Sequence, residues 1–219
     1  MVRRALSLFS AGQWRARRAR SAGLAFDRKF GTDTQSPVSV EVLDIPGAVA
    51  AHAVQYEASA LPKLRRVLRH LGIDFSQYVF IDMGSGKGLV VFEAARHPFA
   101  EVIGVEISQR LHETAARNLE RVRRHLSLRA PVMLLHMNAL DHDCAAPRQV
   151  VYLYNPFDEV IIRELMRALE TRLQRGVKDI LVAYVNPLHK DMLESEFPVT
   201  AVHRHATLII YRLHRRAPA

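Results

Sequence analysis

The chain has 219 residues, 49% hydrophobic and 24% charged, which is enough apolar content to fill one core, with no internal repeat and no sign of a second domain. No stretch approaches the roughly 20 apolar residues that cross a bilayer. The lone Cys144 excludes an internal disulfide and no Cys or His spacing suggests a metal, so a soluble, cytoplasmic setting is expected. The net charge of +9 comes from 31 basic residues against 22 acids.

That charge is concentrated at the start. Arg3, Arg4, Arg15, Arg17, Arg18 and Arg20 give the first 26 residues +6 with no acid at all. Residues 1–24 therefore read as a basic N-terminal tail or helix. A solvated tail, a transit peptide, a membrane-surface helix and a nucleic-acid arm all fit such a segment. Residues 25–59 are broken by Gly31, Pro37, Pro46 and Gly47, with one alternating run over 38–42, and read as a lid or substrate-facing extension.

From residue 60 the pattern becomes regular. Leu61, Leu64, Leu68 and Leu71 repeat at helical spacing, with Lys63, Arg65, Arg66 and Arg69 on the other face, so a helix covers the core just before the first strand. Strands are predicted near 78–83, 101–107, 132–138, 149–154, 179–185 and 206–213, and helices near 88–97, 108–126, 158–175 and 188–195. This βα alternation predicts an α/β fold with a doubly wound, mainly parallel sheet.

The first strand runs into Asp82-Met83-Gly84-Ser85-Gly86-Lys87-Gly88. Such a turn sits at the carboxyl end of a strand, where open α/β sheets bind ligands. A dinucleotide fingerprint would need glycine at 89, where the chain has Leu89, and a P-loop would need glycine at 81 and Ser or Thr at 88, where it has Ile81 and Gly88. The acid ahead of the glycines would repel a phosphate but can accept hydrogen bonds from an ammonium group, which suits a cofactor bearing an amino acid.

The second strand ends Val102-Ile103-Gly104-Val105-Glu106, with Glu106 18 residues beyond Gly88. A carboxylate there can accept both hydroxyls of a ribose. With these two motifs the sequence resembles the class I S-adenosylmethionine-dependent methyltransferases, closest to bacterial members of unassigned substrate. Those share the Gly-Ser-Gly-Lys-Gly loop, Val-Ile-Gly-Val-Glu and Tyr-Asn-Pro-Phe. The resemblance implies a seven-stranded sheet with flanking helices, a C-terminal antiparallel hairpin around 199–214, a methyltransferase domain over 60–219, and S-adenosyl-L-methionine as cofactor. It assigns Asp82, Gly84, Ser85, Gly86, Gly88 and Glu106 to that cofactor, with Ile107 on the adenine face. Asn138-Ala139 stands where the family has an acid and an alanine against the adenine, and Asn138 also suits a plain turn. Tyr56-Glu57-Ala58-Ser59 resembles a segment that precedes the core in some protein-lysine methyltransferases, which adds Tyr56 and Glu57 to the cofactor-binding set.

For the methyl acceptor the candidates are Tyr154, Asn155, Pro156 and Phe157 at the end of the fourth strand. They resemble a shortened Asn-Pro-Pro-Tyr motif of amino-group methyltransferases, in which the Asn side chain and a proline carbonyl accept hydrogen bonds from the target nitrogen. The competing reading makes Asn155 the N-cap, Pro156 the first helical residue and Asp158 a first-turn acid. Asn186-Pro187 has the same ambiguity and leans to a turn, while His112 and His136 read as structural. A lysine-like acceptor, with a pKa near 10.4, is neutral in only about one molecule in two thousand at pH 7, so the site must favour the free amine, and Glu57, Asp158 and Tyr154 are the groups available as bases.

The leading reading is methyl transfer to a nitrogen of a protein side chain or small amine. An RNA-directed methyltransferase, through the basic N-terminus and Arg212, His214, Arg215 and Arg216, and a non-catalytic cofactor-binding scaffold are the alternatives. The acceptor and the oligomeric state are open at this level.

Overall fold

The structure, a computed structural model, describes residues 11–39, 43–44, 61–154 and 157–216, with residues 11–20 described through their backbone. The strands are β1 (Val79–Met83), β2 (Glu101–Glu106), β3 (Val132–His136), β4 (Arg148–Tyr154), β5 (Asp179–Val185), β6 (Val199–His205) and β7 (Leu208–Leu213). The α-helices among the described residues are α1 (Ala11–Phe30), α2 (Leu61–His70), α3 (Leu89–Ala94), α4 (Gln109–Arg123), α5 (Glu159–Gln174) and α6 (Lys190–Glu196).

All seven strands join one sheet in the order β3-β2-β1-β4-β5-β7-β6. β1 to β5 pair in parallel, and β7 runs antiparallel between β5 and β6. The predicted doubly wound sheet with its C-terminal hairpin is the architecture observed. Chain order reverses at β1, with β2 on one side and β4 on the other, and this is the switch point where open α/β sheets form a ligand crevice.

Strands buried on both faces need apolar residues at nearly every position, and β1 and β5 show this as Val-Phe-Ile-Asp-Met and Asp-Ile-Leu-Val-Ala-Tyr-Val. Alternate residues feed opposite cores. Phe80, Val102, Val150, Tyr152 and Leu181 pack with Leu64, Val67 and Leu68 of α2, Phe92 of α3 and Leu119 of α4. Ile81, Met83, Val105, Val151 and Leu153 pack with Ile162, Leu165 and Leu169 of α5 and Leu193 of α6.

Two elements depart from the sequence expectation. Helix α1 spans the boundary drawn at residue 24, and its last turns bury Phe26 and Phe30 in the same core as α2. Helix α5 starts three residues later than Asn155 would place it. Asp158 is its N-cap, and Asp158 Oδ1 accepts from the Ile161 N–H at 3.1 Å, so the reading of Asn155 as cap and Pro156 as first helical residue is corrected. An aspartate both satisfies a free N–H and favours the positive end of the helix, which is why it wins the position.

Close seating of α3 on the sheet depends on Gly104 in β2, where a Cβ would lie 2.8 Å from Val91 Cγ2 and 2.9 Å from Ser85 Oγ. Gly104→Ala is expected to lower stability by about 1–3 kcal/mol, the usual effect of overpacking. This would be read as a lower urea midpoint at unchanged m-value; an unchanged midpoint would contradict the close seating.

Candidate functional site

At the crevice β1 carries Asp82 one residue before its end, beside Gly104 of β2 and Tyr152 of β4. The loop that follows turns back on β2, with the Gly84 and Ser85 N–H groups both donating to Val105 O at 2.9 Å. Gly84, Gly86 and Gly88 have φ of 80°, 53° and 90°. These are left-handed conformations that a side chain disfavours, and at Gly88, which begins α3, a Cβ would also run into the Phe92 ring. The glycine spacing is therefore a backbone requirement of this turn.

The Asp82 side chain is 4% exposed, and among the described residues no hydrogen-bond donor reaches its carboxylate. Burial, together with the Glu106 carboxylate nearby, pushes its pKa well above the ordinary carboxylate range. Glu106 is equally buried but is held. Its Oε2 accepts from the Gly86 N–H at 2.8 Å and its Oε1 from the Ser108 N–H at 2.9 Å. Burial still raises its pKa, with these backbone N–H groups acting against the rise. Among the described residues the site thus holds a buried acid without a donor next to an acid whose oxygens accept from the Gly86 and Ser108 N–H groups and keep further accepting capacity.

Around these two acids the other candidates divide. Ile107 is half-buried, and its carbonyl lies 3.0 Å from His136 Nε2, while the rings of His136 and His112 are 5.6 Å apart. Asn138 uses Oδ1 to accept from the Leu140 N–H at 3.1 Å, which is the turn role weighed for it, and Ala139 is buried beside it. Asn155, Pro156, Tyr56 and Glu57 lie outside the described residues. Tyr154 packs towards the α2 side and Phe157 towards the α5 side of the sheet. Lys63 of α2 stands over the Tyr154 ring, 5.0 Å from its centroid, and donates to Asn186 Oδ1 at 2.7 Å. Asn186 has φ of 51° and closes β5 onto the hairpin by donating to Thr207 O at 3.0 Å, so it is a turn residue that also orients a cation at the β4 edge.

Sequence reasoning overlooked the residues behind the glycine loop. Lys87 is buried, and its ammonium donates to Asp33 Oδ2 at 2.9 Å, Ser36 O at 2.9 Å and Ser36 Oγ at 2.6 Å. Burial alone would raise Asp33, but hydrogen bonds from Ser36 and Lys87 and the Lys87 charge outweigh it and hold its pKa below the ordinary value. Buried Asn118 of α4 donates to Lys87 O at 3.1 Å and Asp33 O at 2.9 Å, and accepts from the Asp33 N–H at 3.0 Å. Ser108, the N-cap of α4, donates its hydroxyl to Asp44 Oδ1 at 2.7 Å, and this bond lowers the Asp44 pKa. The one available signal was a lysine between two glycines, which spacing alone does not interpret.

Among the described residues no group of three or more His, Cys, Asp and Glu could hold a metal ion, and no helix is long and apolar enough to cross a membrane. The raised Asp82 has a defined consequence for stability. An acid whose folded-state pKa is raised contributes stability that is complete below its ordinary pKa and is lost as the pH rises through the raised value. Asp82→Asn is therefore expected to resist urea better than the parent at pH 7 without ligand, with the gain shrinking as the pH falls towards about 4. Equal or lower stability at pH 7 would contradict the assignment.

The profile of the family described as Histone methylation protein DOT1 matches residues 50–180. No curated protein matches the chain in sequence. Among solved structures, a proposed RNA methyltransferase from Pyrococcus horikoshii superposes with a TM-score of 0.52 at 13% identity, covering 91% of this chain and 98% of that one. A proposed methyltransferase from Escherichia coli gives 0.53 at 14% identity, covering 80% and 92%. The ribosomal protein L11 methylase from Lactobacillus delbrueckii subsp. bulgaricus gives 0.50 at 15% identity, covering 76% and 83%. At such identities the likeness is one of fold. The family match spans more than half of the chain, from ahead of α2 to the start of β5, and includes the glycine loop, Glu106 and the β4 edge; the chain belongs to the DOT1 family of S-adenosylmethionine-dependent methyltransferases.

Proposed function

We propose that this S-adenosylmethionine-dependent methyltransferase acts on a nitrogen of a protein side chain or small amine. The observation that carries the reading is the β4 edge. Asp158 is the N-cap of α5, and the Asn155-Pro156 pair stands ahead of it in sequence, between Tyr154 and Phe157. The resemblance to amino-group enzymes gives that pair its role: the Asn155 side chain and the Pro156 carbonyl accept from the target nitrogen and aim its lone pair. The family description, which names histone methylation, agrees with a protein amine.

The residues at the crevice fit the cofactor. Asp82 is a buried acceptor with no donor among the described residues and suits the ammonium of the methionyl part. Glu106, fixed by Gly86 and Ser108, suits the ribose hydroxyls, and the exposed Gly84 leaves the lip of the loop without a side chain. Ile107 and the Asn138-Ala139 turn border the adenine region, with the Ala139 N–H as donor, and Tyr56 and Glu57 belong to the segment that completes the site. The bound cofactor supplies a methyl group already activated on a sulfonium, so the chain's remaining task is alignment, which can supply roughly 7–11 kcal/mol.

The RNA-directed alternative draws on the basic termini. At the C-terminus, however, Arg212 pairs with Asp179 at 3.0 Å and Arg216 with Glu170 at 2.8 Å, while Arg215 reaches Val177 O and His214 contacts Thr200 Oγ1 at 2.9 Å. These groups serve their own fold, which favours the amine reading.

Cell lysate and a panel of simple amines incubated with methyl-labelled cofactor should yield labelled protein or amine. Asn155→Ala should lose the transfer while cofactor at a hundred times its dissociation constant still stabilises the fold by about 2.7 kcal/mol. Label confined to RNA, or no label with binding intact, would contradict the proposal.

A further inference from the structure

The Glu106 carboxylate is held by two backbone donors, Gly86 and Ser108. Neither is rigid on its own account. Gly86 lies in a loop with three left-handed glycines, a sequence with ample conformational freedom. Ser108 sits at the free start of α4, where its hydroxyl accepts from the Leu111 N–H at 3.3 Å.

Both are backed by residues that precede the family match at 50–180. Lys87, which follows Gly86, is 3% exposed, and an ammonium so buried is stable only with its charge and protons answered. Asp33 and Ser36 answer them, so the loop and the N-terminal segment hold each other in place. That segment is itself fixed. Asp27, in the last turn of α1, accepts from the Thr32 hydroxyl at 2.7 Å, the Thr34 hydroxyl at 2.8 Å, and the Thr34 and Gln35 N–H groups at 3.0 Å, and Arg121 of α4 donates to Gly31 O at 2.7 Å. On the other side, Asp44 Oδ1 accepts from the Ser108 hydroxyl at 2.7 Å and from the Arg110 N–H at 3.4 Å.

We propose that Asp33, Ser36 and Asp44 are positioning residues of the cofactor site, fixing the orientation of the Glu106 carboxylate from both ends through Lys87 and Ser108. Lys87 is then neither a cofactor ligand nor a phosphate ligand; it is the pin that fastens the glycine loop to the N-terminal segment. The inference rests on assigning Glu106 to the ribose. It predicts a specific defect, because a carboxylate that accepts two neighbouring hydroxyls must keep its plane, whereas the rest of the cofactor contacts do not depend on that plane.

The test is calorimetric binding of S-adenosylhomocysteine and of its 2′-deoxyribose analogue to the parent protein and to Asp33→Asn, Asp44→Asn and Lys87→Met. The parent should prefer the intact ribose by about tenfold or more, the worth of one hydrogen bond to a charged group. The variants should bind S-adenosylhomocysteine about tenfold more weakly and the deoxy analogue nearly unchanged, so that the preference collapses towards unity. Asp33→Asn and Asp44→Asn alter exposed or half-buried acids and carry the test if Lys87→Met does not fold. Variants that melt like the parent and keep its preference, or that weaken both ligands by one factor, overturn the positioning role. A parent with no preference overturns the Glu106 assignment and the proposal with it. None of these outcomes involves the methyl acceptor, so they are separable from the amine reading.

Discussion

Asp82 stands at the penultimate position of β1 with its carboxylate buried and with Glu106, a second buried acid, close by. Two carboxylates sharing an apolar site cannot both ionise comfortably, and Asp82 is the one without a donor among the described residues. This is a burden on the fold that a structural role would not require. It becomes sensible when the missing donor is brought in by a positively charged ligand, and the surrounding architecture follows from that requirement. The glycines bring backbone, and no side chains, to the mouth of the site. Gly86 and Ser108 satisfy Glu106 from within so that it remains an acceptor and not a competitor for the same cation.

On the proposed assignment the sheet separates the two halves of the reaction. Strands β1 and β2 carry the acids and lead into the glycine loop, whereas β4 and β5 end in Tyr154 and Val185, in register with each other, and each is followed in sequence by an Asn-Pro pair. Lys63 couples these neighbouring edges by contacting both Tyr154 and Asn186. The proposed cofactor residues Asp82, the glycines and Glu106 all fall inside the family match. The N-terminal segment reinforces them from outside that match, through a lysine whose charge is answered 54 residues away in sequence.

Legibility in the sequence follows the range of the interaction. β1, β2 and β5 are continuous apolar runs, and α2 repeats leucine at helical spacing, so local pattern reveals them. Asp82, the glycines and Glu106 are readable for a related reason, since backbone conformation and strand ends impose fixed spacings. Asp158 shows the limit of local rules: Asn155, Pro156 and Asp158 each suit a helix start, and only the structure reveals which one the helix uses. Lys87 with Asp33, Asn118 with Asp33, and Ser108 with Asp44 are polar pairs between distant segments. Such pairs leave no periodicity, and a basic residue in a loop looks the same in sequence whether it is solvated or buried. The extent of helix α1 is hidden because its anchors Phe26 and Phe30 follow an arginine-rich stretch whose composition suits a tail as well as a helix.

The central claim is that the buried Asp82 carboxylate waits for the ammonium group of the cofactor, and its own titration reports on this most directly. Carbon-detected NMR of the Asp82 carboxyl should show it titrating well above the ordinary aspartate range in the free protein. With saturating S-adenosylhomocysteine it should fall back to that range or below, because an opposite charge then favours the ionised form. An Asp82 that titrates as an ordinary aspartate, or whose titration does not move when the ligand binds, would contradict the account.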